Sequence, residues 1–130
     1  MSGALLDTSV VIAFDEAATL DLPADAALSV ITLGELRAGV VSARDPRAHG
    51  ERQARLTAVR GAFEPLLVDE IVAEHYGDAL AHARDTGRIV KATDLLIIAT
   101  AGATGRTLYT LDQAQAALAR ELGLTVCGVA

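Results

Sequence analysis

Residues 91–112 read KATDLLIIATAGATGRTLYTLD. The stretch contains a helix, a stop, a strand and an acid, in that order. Leu95–Ala103 is fit for a protein interior, as a buried helix, and Gly105 closes it. Thr107–Thr110 reads as a strand, and it delivers the chain to Asp112. A buried helix running into a strand is the repeating unit of a parallel sheet covered on both faces. At the head of the run stands Asp94, an acid beside Leu95, Leu96, Ile97 and Ile98. A carboxylate so placed must cap something, pair with something or bind something.

The same alternation extends outward from this stretch. Gly3–Leu6 is expected as a strand and Thr8–Phe14 as a helix. Ala27–Ile31 is the next strand, followed by a helix from Gly34 to Ala43. DPRAHG (45–50) is the clearest break in the chain. A helix over Glu51–Phe63 then carries Leu56, Val59 and Phe63 on one face. Glu64–Val68 is a strand whose Pro65 suits its first residues or a sheet edge. Val72, Tyr76, Ala79, Leu80 and Ala83 mark a long amphipathic helix ending near Gly87. Beyond Asp112, Gln113–Leu122 is a helix with Gly123 past its end, and Thr125–Val129 a last strand. Five strands joined by helical crossovers make an α/β, doubly wound fold.

Composition bounds the rest. The 130 residues suffice for one domain with its own core. Apolar residues make up 52% and aromatics 3%, so that core is aliphatic. Cys127 is alone, which excludes an internal disulfide and any Cys-His zinc spacing and fits a reducing, cytoplasmic setting. No signal core is visible and nowhere do 18 apolar residues run together, so no membrane span is expected. The net charge of −6 argues against nucleic-acid binding by broad phosphate neutralisation. The basic residues nevertheless cluster: Arg37, Arg44, Arg47, Arg52, Arg55 and Arg60 are six of the eleven. They form either a solvated helical face or a local patch that tracks phosphates or grips a partner.

Ligands of open parallel sheets sit beyond the carboxyl ends of the strands. GALLD delivers Asp7 there, LSVIT leads to Glu35, RTLYTLD delivers Asp112, and Asp94 heads the helix before that last strand. Each acid has an ordinary structural explanation. Asp7 and Asp94 suit helix N-caps. Thr32-Leu33-Gly34-Glu35 and Thr110-Leu111-Asp112-Gln113 match capping boxes. Together the explanations weaken, because two carboxylates ~4 Å apart repel by about 4 kcal/mol at an effective dielectric near 20. A cap gains only about 1 kcal/mol. LLDTSV, TLGE, ATDLL and TLDQ contain no basic residue, and Lys91 stands three before Asp94. A hard divalent cation, Mg²⁺ or Mn²⁺, resolves the conflict. Asp69, after PLLV, is placed like Asp7, and counting alone admits it to the cluster.

LLDTSVVIA, TLGELRAG, KATDLLIIATA and LYTLDQA, in this order and spacing over essentially the whole chain, resemble the PIN-domain nucleases, and closely the VapC-type toxins of bacterial toxin–antitoxin pairs. The resemblance implies one PIN domain over residues 1–130, a three-layer α/β/α fold with a central parallel sheet of about five strands. It assigns the family's acids to Asp7, Glu35, Asp94 and Asp112, and excludes Asp69. It further implies Mg²⁺ or Mn²⁺ at those acids, cleavage of single-stranded or looped RNA, a homodimer, and a cognate VapB-type antitoxin that covers the site. Asp7, Asp94 and Asp112 would be the main ligands, with Glu35 orienting or deprotonating the attacking water. Thr8, Ser9 and Thr110 lie where the family often has small hydroxyl residues near the metal. Arg37, Arg44, Arg47 and Arg52 are candidates for RNA or partner contacts. One departure concerns local packing: many relatives carry an aromatic shortly after the last acid, and DQAQAA has none.

Rival readings fare worse. A haloacid-dehalogenase-type phosphatase wants Asp-x-Asp, and LLDTS puts Ser9 at the second position. A dinucleotide fold wants G-x-G-x-x-G after its first strand, whereas GATG (102–105) follows a helix. The alternative from another class is a PIN-fold module that binds RNA or protein without cutting.

Overall fold

In the computed structural model of the chain, residues 3–16 and 24–128 are described. The strands are β1 (Ala4–Leu6), β2 (Leu28–Ser29), β3 (Pro65–Leu66), β4 (Thr107–Tyr109) and β5 (Val126–Cys127). The helices are α1 (Thr8–Glu16), α2 (Val30–Val41), α3 (Pro46–Ala62), α4 (Glu70–Asp85), α5 (Ala92–Thr104) and α6 (Gln113–Glu121). Among the described residues no helix is long and apolar enough to cross a membrane.

Two parallel ladders, β1-β4-β5 and β2-β3, are joined by a parallel bridge between Leu5 and Ala27. The Leu6 amide donates to the Ala27 carbonyl, and the Ala27 amide to that of Ala4, each at 2.9 Å. The strands therefore run β3-β2-β1-β4-β5, and Pro65 lies on the edge strand, where its missing N–H costs no ladder bond.

Alternation along β1 makes the three layers. Ala4 and Leu6 face one cluster, with Val10 and Val11 of α1, Leu36 and Val40 of α2, and Leu56 and Val59 of α3. Leu5 faces the opposite cluster, with Ala79 of α4, Leu95, Ile97 and Ile98 of α5, and Leu118 of α6. Successive strand residues point to opposite faces, so a central strand apolar at every position requires helices on both sides. The expected buried helix is α5, whose Leu95 and Ile97–Ala101 are buried, and Gly105 closes it at φ 65°.

Several element ends differ from expectation. Ala27–Ile31 is not one strand: β2 stops at Ser29, whose hydroxyl accepts from the Ile31 amide at 3.0 Å and starts α2 at Val30. A serine N-cap overrides the β propensity of Val30, Ile31 and Thr32. The Thr32–Glu35 capping box is consequently absent, since both residues already lie inside the helix. The break at DPRAHG is instead a helix start. Asp45 accepts from the Ala48 amide at 2.8 Å and Pro46 opens α3, the ordinary place for proline in a helix. The strands expected over Glu64–Val68 and Thr125–Val129 are each two residues long, and Val129 lies outside the described residues.

Candidate active site

Strand order reverses between β1 and β4, which are neighbours in the sheet although far apart in sequence. The crevice beyond their carboxyl ends is the topological switch point where such sheets bind ligands. Asp7 leaves β1 there and Thr110 leaves β4.

Asp7 is buried, at 5% exposure. Its Oδ2 accepts from the Ser9 hydroxyl at 2.6 Å, the Ser9 amide at 3.3 Å and the Thr110 hydroxyl at 3.1 Å. Ser9 Oγ also accepts from the Leu111 amide at 3.1 Å, and Thr110 Oγ1 from the Asp112 amide at 3.0 Å. The two hydroxyls thus stitch the end of β1 to the end of β4 through one carboxylate.

Asp112 is itself the N-cap of α6, its Oδ1 accepting from the Gln115 amide at 3.1 Å. The capping box expected from Thr110 is therefore absent. Asp94 does not cap its helix either. Lys91 holds the N-cap position of α5, with no side-chain cap, and Asp94 lies in the first turn. A carboxylate in a first turn complements the helix dipole without closing the helix. Glu35 projects from α2, and its Oε1 accepts from the Thr8 hydroxyl at 2.5 Å. Thr8 Oγ1 also lies 3.2 Å from the hydroxyl of Thr32, which is fully buried.

The four acids share one electrostatic neighbourhood. The Asp94 carboxyl is raised above its ordinary range, first by partial burial, then by the charges of Asp7, Asp112 and Glu35, with Lys91 opposing. Asp69 has no part in this. It is the exposed N-cap of α4, accepting from the Val72 amide at 2.9 Å.

An all-carboxylate set of this kind suits Mg²⁺ or Mn²⁺, which take hard oxygen ligands and neutralise clustered charge. The fit lies in charge and donor chemistry. Among the described residues, no three acids already close on one point at ligating distance. Asp7, Glu35 and Asp112 each spend an oxygen on a hydroxyl or amide of the protein.

Thr8, Ser9 and Thr110, anticipated beside the acids, all touch them. Gln115 was missed. It is 4% exposed and lies against Asp7, Thr110 and Asp112. The available signal was its position three residues after Asp112, in the first turn of α6 and facing back over the strand ends.

Two grooves open beside the cluster. One, of about 510 Å³, is lined by Glu35, Ile12, Gly39, Arg52 and Arg55. The other, of about 470 Å³, is lined by Asp94, Asp112, Arg88, Val90 and Lys91. The arginine segment does not act as one face. Arg37 and Arg44 are exposed, and Arg47 pairs with Glu51 at 3.0 Å in solvent. Arg52 donates to the Gly39 carbonyl at 2.7 Å, tying α3 to α2.

The chain matches the PIN domain family over residues 4–121, and it belongs to that family. Ribonuclease VapC5 of Mycobacterium tuberculosis is 37% identical over 117 residues, covering 88% of this chain and 86% of that protein. Ribonuclease VapC8 of the same species is 42% identical over 100 residues, covering 75% of this chain and 88% of that protein. The crystal structure of VapBC-5 from M. tuberculosis, a member of the VapBC family of toxin-antitoxin systems, superposes with a TM-score of 0.85. That match is 32% identical and covers 99% of this chain and 100% of the other. Within the PIN family the chain is therefore of the VapC type.

Proposed function

We propose that this protein is the toxin of a type II toxin–antitoxin pair, an endoribonuclease that depends on Mg²⁺ or Mn²⁺ and cuts single-stranded or looped RNA. The observation that carries the reading is the gathering of Asp7, Glu35, Asp94 and Asp112 beside the β1/β4 switch point, where burial and then the charges of the other three raise the Asp94 carboxyl. Such a cluster is a poor stability device and a good cation site. The relatives named ribonucleases and the superposed VapBC structure support the choice of substrate class and of a small VapB-type antitoxin as partner. The site would act in the cytoplasm, in a homodimer.

A bound divalent cation would supply charge to stabilise the developing negative phosphoryl oxygens and to acidify water. Asp7, Asp94 and Asp112 would hold it. Glu35, fixed by Thr8, is the carboxylate left to orient and deprotonate the attacking water. Ser9 and Thr110 keep Asp7 turned toward the crevice.

The test is cleavage of a looped RNA by EDTA-stripped protein, before and after Mn²⁺ is returned. Activity is expected only with metal, and Asp7→Asn is expected to abolish it. Asp69→Asn should cleave like the wild type while losing about 1 kcal/mol of stability with its cap. RNA binding by the metal-loaded protein without cleavage would favour the non-cutting module instead.

A further inference from the structure

Gln115 stands in the first turn of the alanine-rich helix QAQAALARE and is almost fully buried. A buried amide needs partners, and its orientation is decided by them. An amide oxygen facing the Asp7 carboxylate would repel it, so the nitrogen faces Asp7. It then donates to Oδ2 at 3.1 Å and Oδ1 at 3.3 Å, and to Thr110 Oγ1 at 3.0 Å. The opposite orientation gains a 3.4 Å contact with the Asp94 carbonyl and lets Oε1 accept from the Thr110 hydroxyl at 3.0 Å, but that hydroxyl has one proton and Asp7 Oδ2 also takes it. The Gln115 backbone amide meanwhile donates to Asp112 Oδ1. One residue thus touches both Asp7 and Asp112.

Its effect on Asp7 is unequal. Oδ2 receives Ser9 Oγ, Ser9 N, Thr110 Oγ1 and Gln115 Nε2, whereas Oδ1 receives only the longer Gln115 contact. Oδ1 is therefore the oxygen with lone pairs to give. A lysine or arginine in this place would also orient the carboxylate, but its charge would compete with a divalent ion. A neutral amide orients without competing.

We propose that Gln115 is a positioning residue of the metal site, whose buried amide fixes Asp7 through Oδ2 and leaves Oδ1 for the cation. The inference rests on the metal-dependent reading above. It also revises the expectation attached to DQAQAA. A polar residue there bears on the chemistry of the site as well as on its packing.

The experiment is calorimetric titration of EDTA-stripped full-length protein with Mn²⁺ alone. Gln115→Met keeps length and burial but removes the donor, and is expected to bind about ten-fold more weakly, the usual cost of losing a partner that orients a ligand. Gln113→Ala, in the same turn, should bind as the wild type. A metal-free melting curve reports whether each variant folds. Should Gln115→Met not fold, the wild-type Gln115 side-chain NH₂ resonances decide: they are expected to shift on adding Mg²⁺, while those of Gln113 stay. Unchanged affinity in a folded Gln115→Met, or unmoved Gln115 resonances, would overturn the role of Gln115 and leave the metal site standing. Absence of Mn²⁺ binding by the wild type would overturn both.

Discussion

The Thr8 hydroxyl donates to Glu35 Oε1 at 2.5 Å, joining the first turn of α1 to α2 across the mouth of the crevice. Thr8 follows Asp7 in the chain, so one dipeptide holds both a proposed cation ligand and the group that would aim the proposed base. If that aim matters, Thr8→Val lowers kcat for RNA cleavage by about ten-fold or more, within the range ascribed to a positioned base. Mn²⁺ affinity should change little, and Thr8→Ser should restore the rate. Equal kcat for Thr8→Val and wild type would show that Glu35 needs no such support.

Asp94 gives a pH dependence with a definite sign. Its carboxyl titrates above the ordinary value of 3.8 because of burial and then of Asp7, Asp112 and Glu35. The folded protein therefore binds more protons than the unfolded chain between those two values, and stability falls as pH rises through that window. Metal-free Asp94→Asn is expected to melt above the wild type at neutral pH. The difference should shrink as pH falls through 3.8 and below it, where Asp94 becomes protonated in both states. Saturating Mg²⁺ should reverse the order, since only the wild type gains from binding. A metal-free variant that melts below the wild type would contradict this account.

On the far side of α6 the sign is opposite. Glu121 takes two hydrogen bonds from Arg88 and one contact from His82, and its carboxyl is pushed down to about 2. Its contribution is present above the ordinary value of 4.5 and is lost as pH falls toward about 2. Glu121→Gln should melt lower than the wild type near neutral pH, with the two curves converging in strong acid. The effect should be modest, because these partners remain partly exposed. Parallel curves at every pH would remove this ion pair from any account of acid stability.

Arginine substitutions separate two uses of the basic segment. Arg52 and Arg55 flank Glu35 in its groove, whereas Arg44 and Arg47 stand in solvent. Replacing Arg44, Arg47 and Arg52 together is expected to weaken RNA binding and reduce its salt slope by up to about 0.7 for each phosphate no longer neutralised. Arg44→Ala with Arg47→Ala alone should leave most of that slope intact. If the pair flattens it as much as the triple variant, the exposed residues are the ones that meet phosphate. If neither moves it, the segment serves the partner protein or solvent.

The fold was legible where periodicity was long and unambiguous. The apolar run Leu95–Ala101 could only be buried, and the alternation of strands and helices left little freedom beyond a parallel sheet. The ends were less legible. Val30, Ile31 and Thr32 are β-branched, yet Ser29 caps a helix through them. DPRAHG looked like a break because proline and glycine usually are one, but Asp45 and Pro46 together start a helix. The four acids were picked out by their placement at strand ends together with the family resemblance, which excluded the similarly placed Asp69. The caps given to Thr110 and Asp94 were misassigned, since Asp112 and Lys91 hold those positions, whereas Asp7 does precede α1 and accepts from the Ser9 amide. Gln115 escaped because an uncharged residue in an alanine-rich helix carries no electrostatic signal. Only tertiary contact gives it one.

The hydrogen bond from Thr110 to Asp7 spans 103 residues. β1 finds β4 only after β2, β3 and the helices between them have been synthesised. Pairings this distant in sequence form late, because the chain must be closed into a long loop before they stabilise anything. A nascent chain that ends before β4 therefore carries Asp7 and Glu35 without Asp112, and the crevice is incomplete. Chains ending before Thr107 should bind no Mn²⁺. For a protein read as an RNA-cutting toxin, this topology delays armament until β4 has been made and has paired with β1.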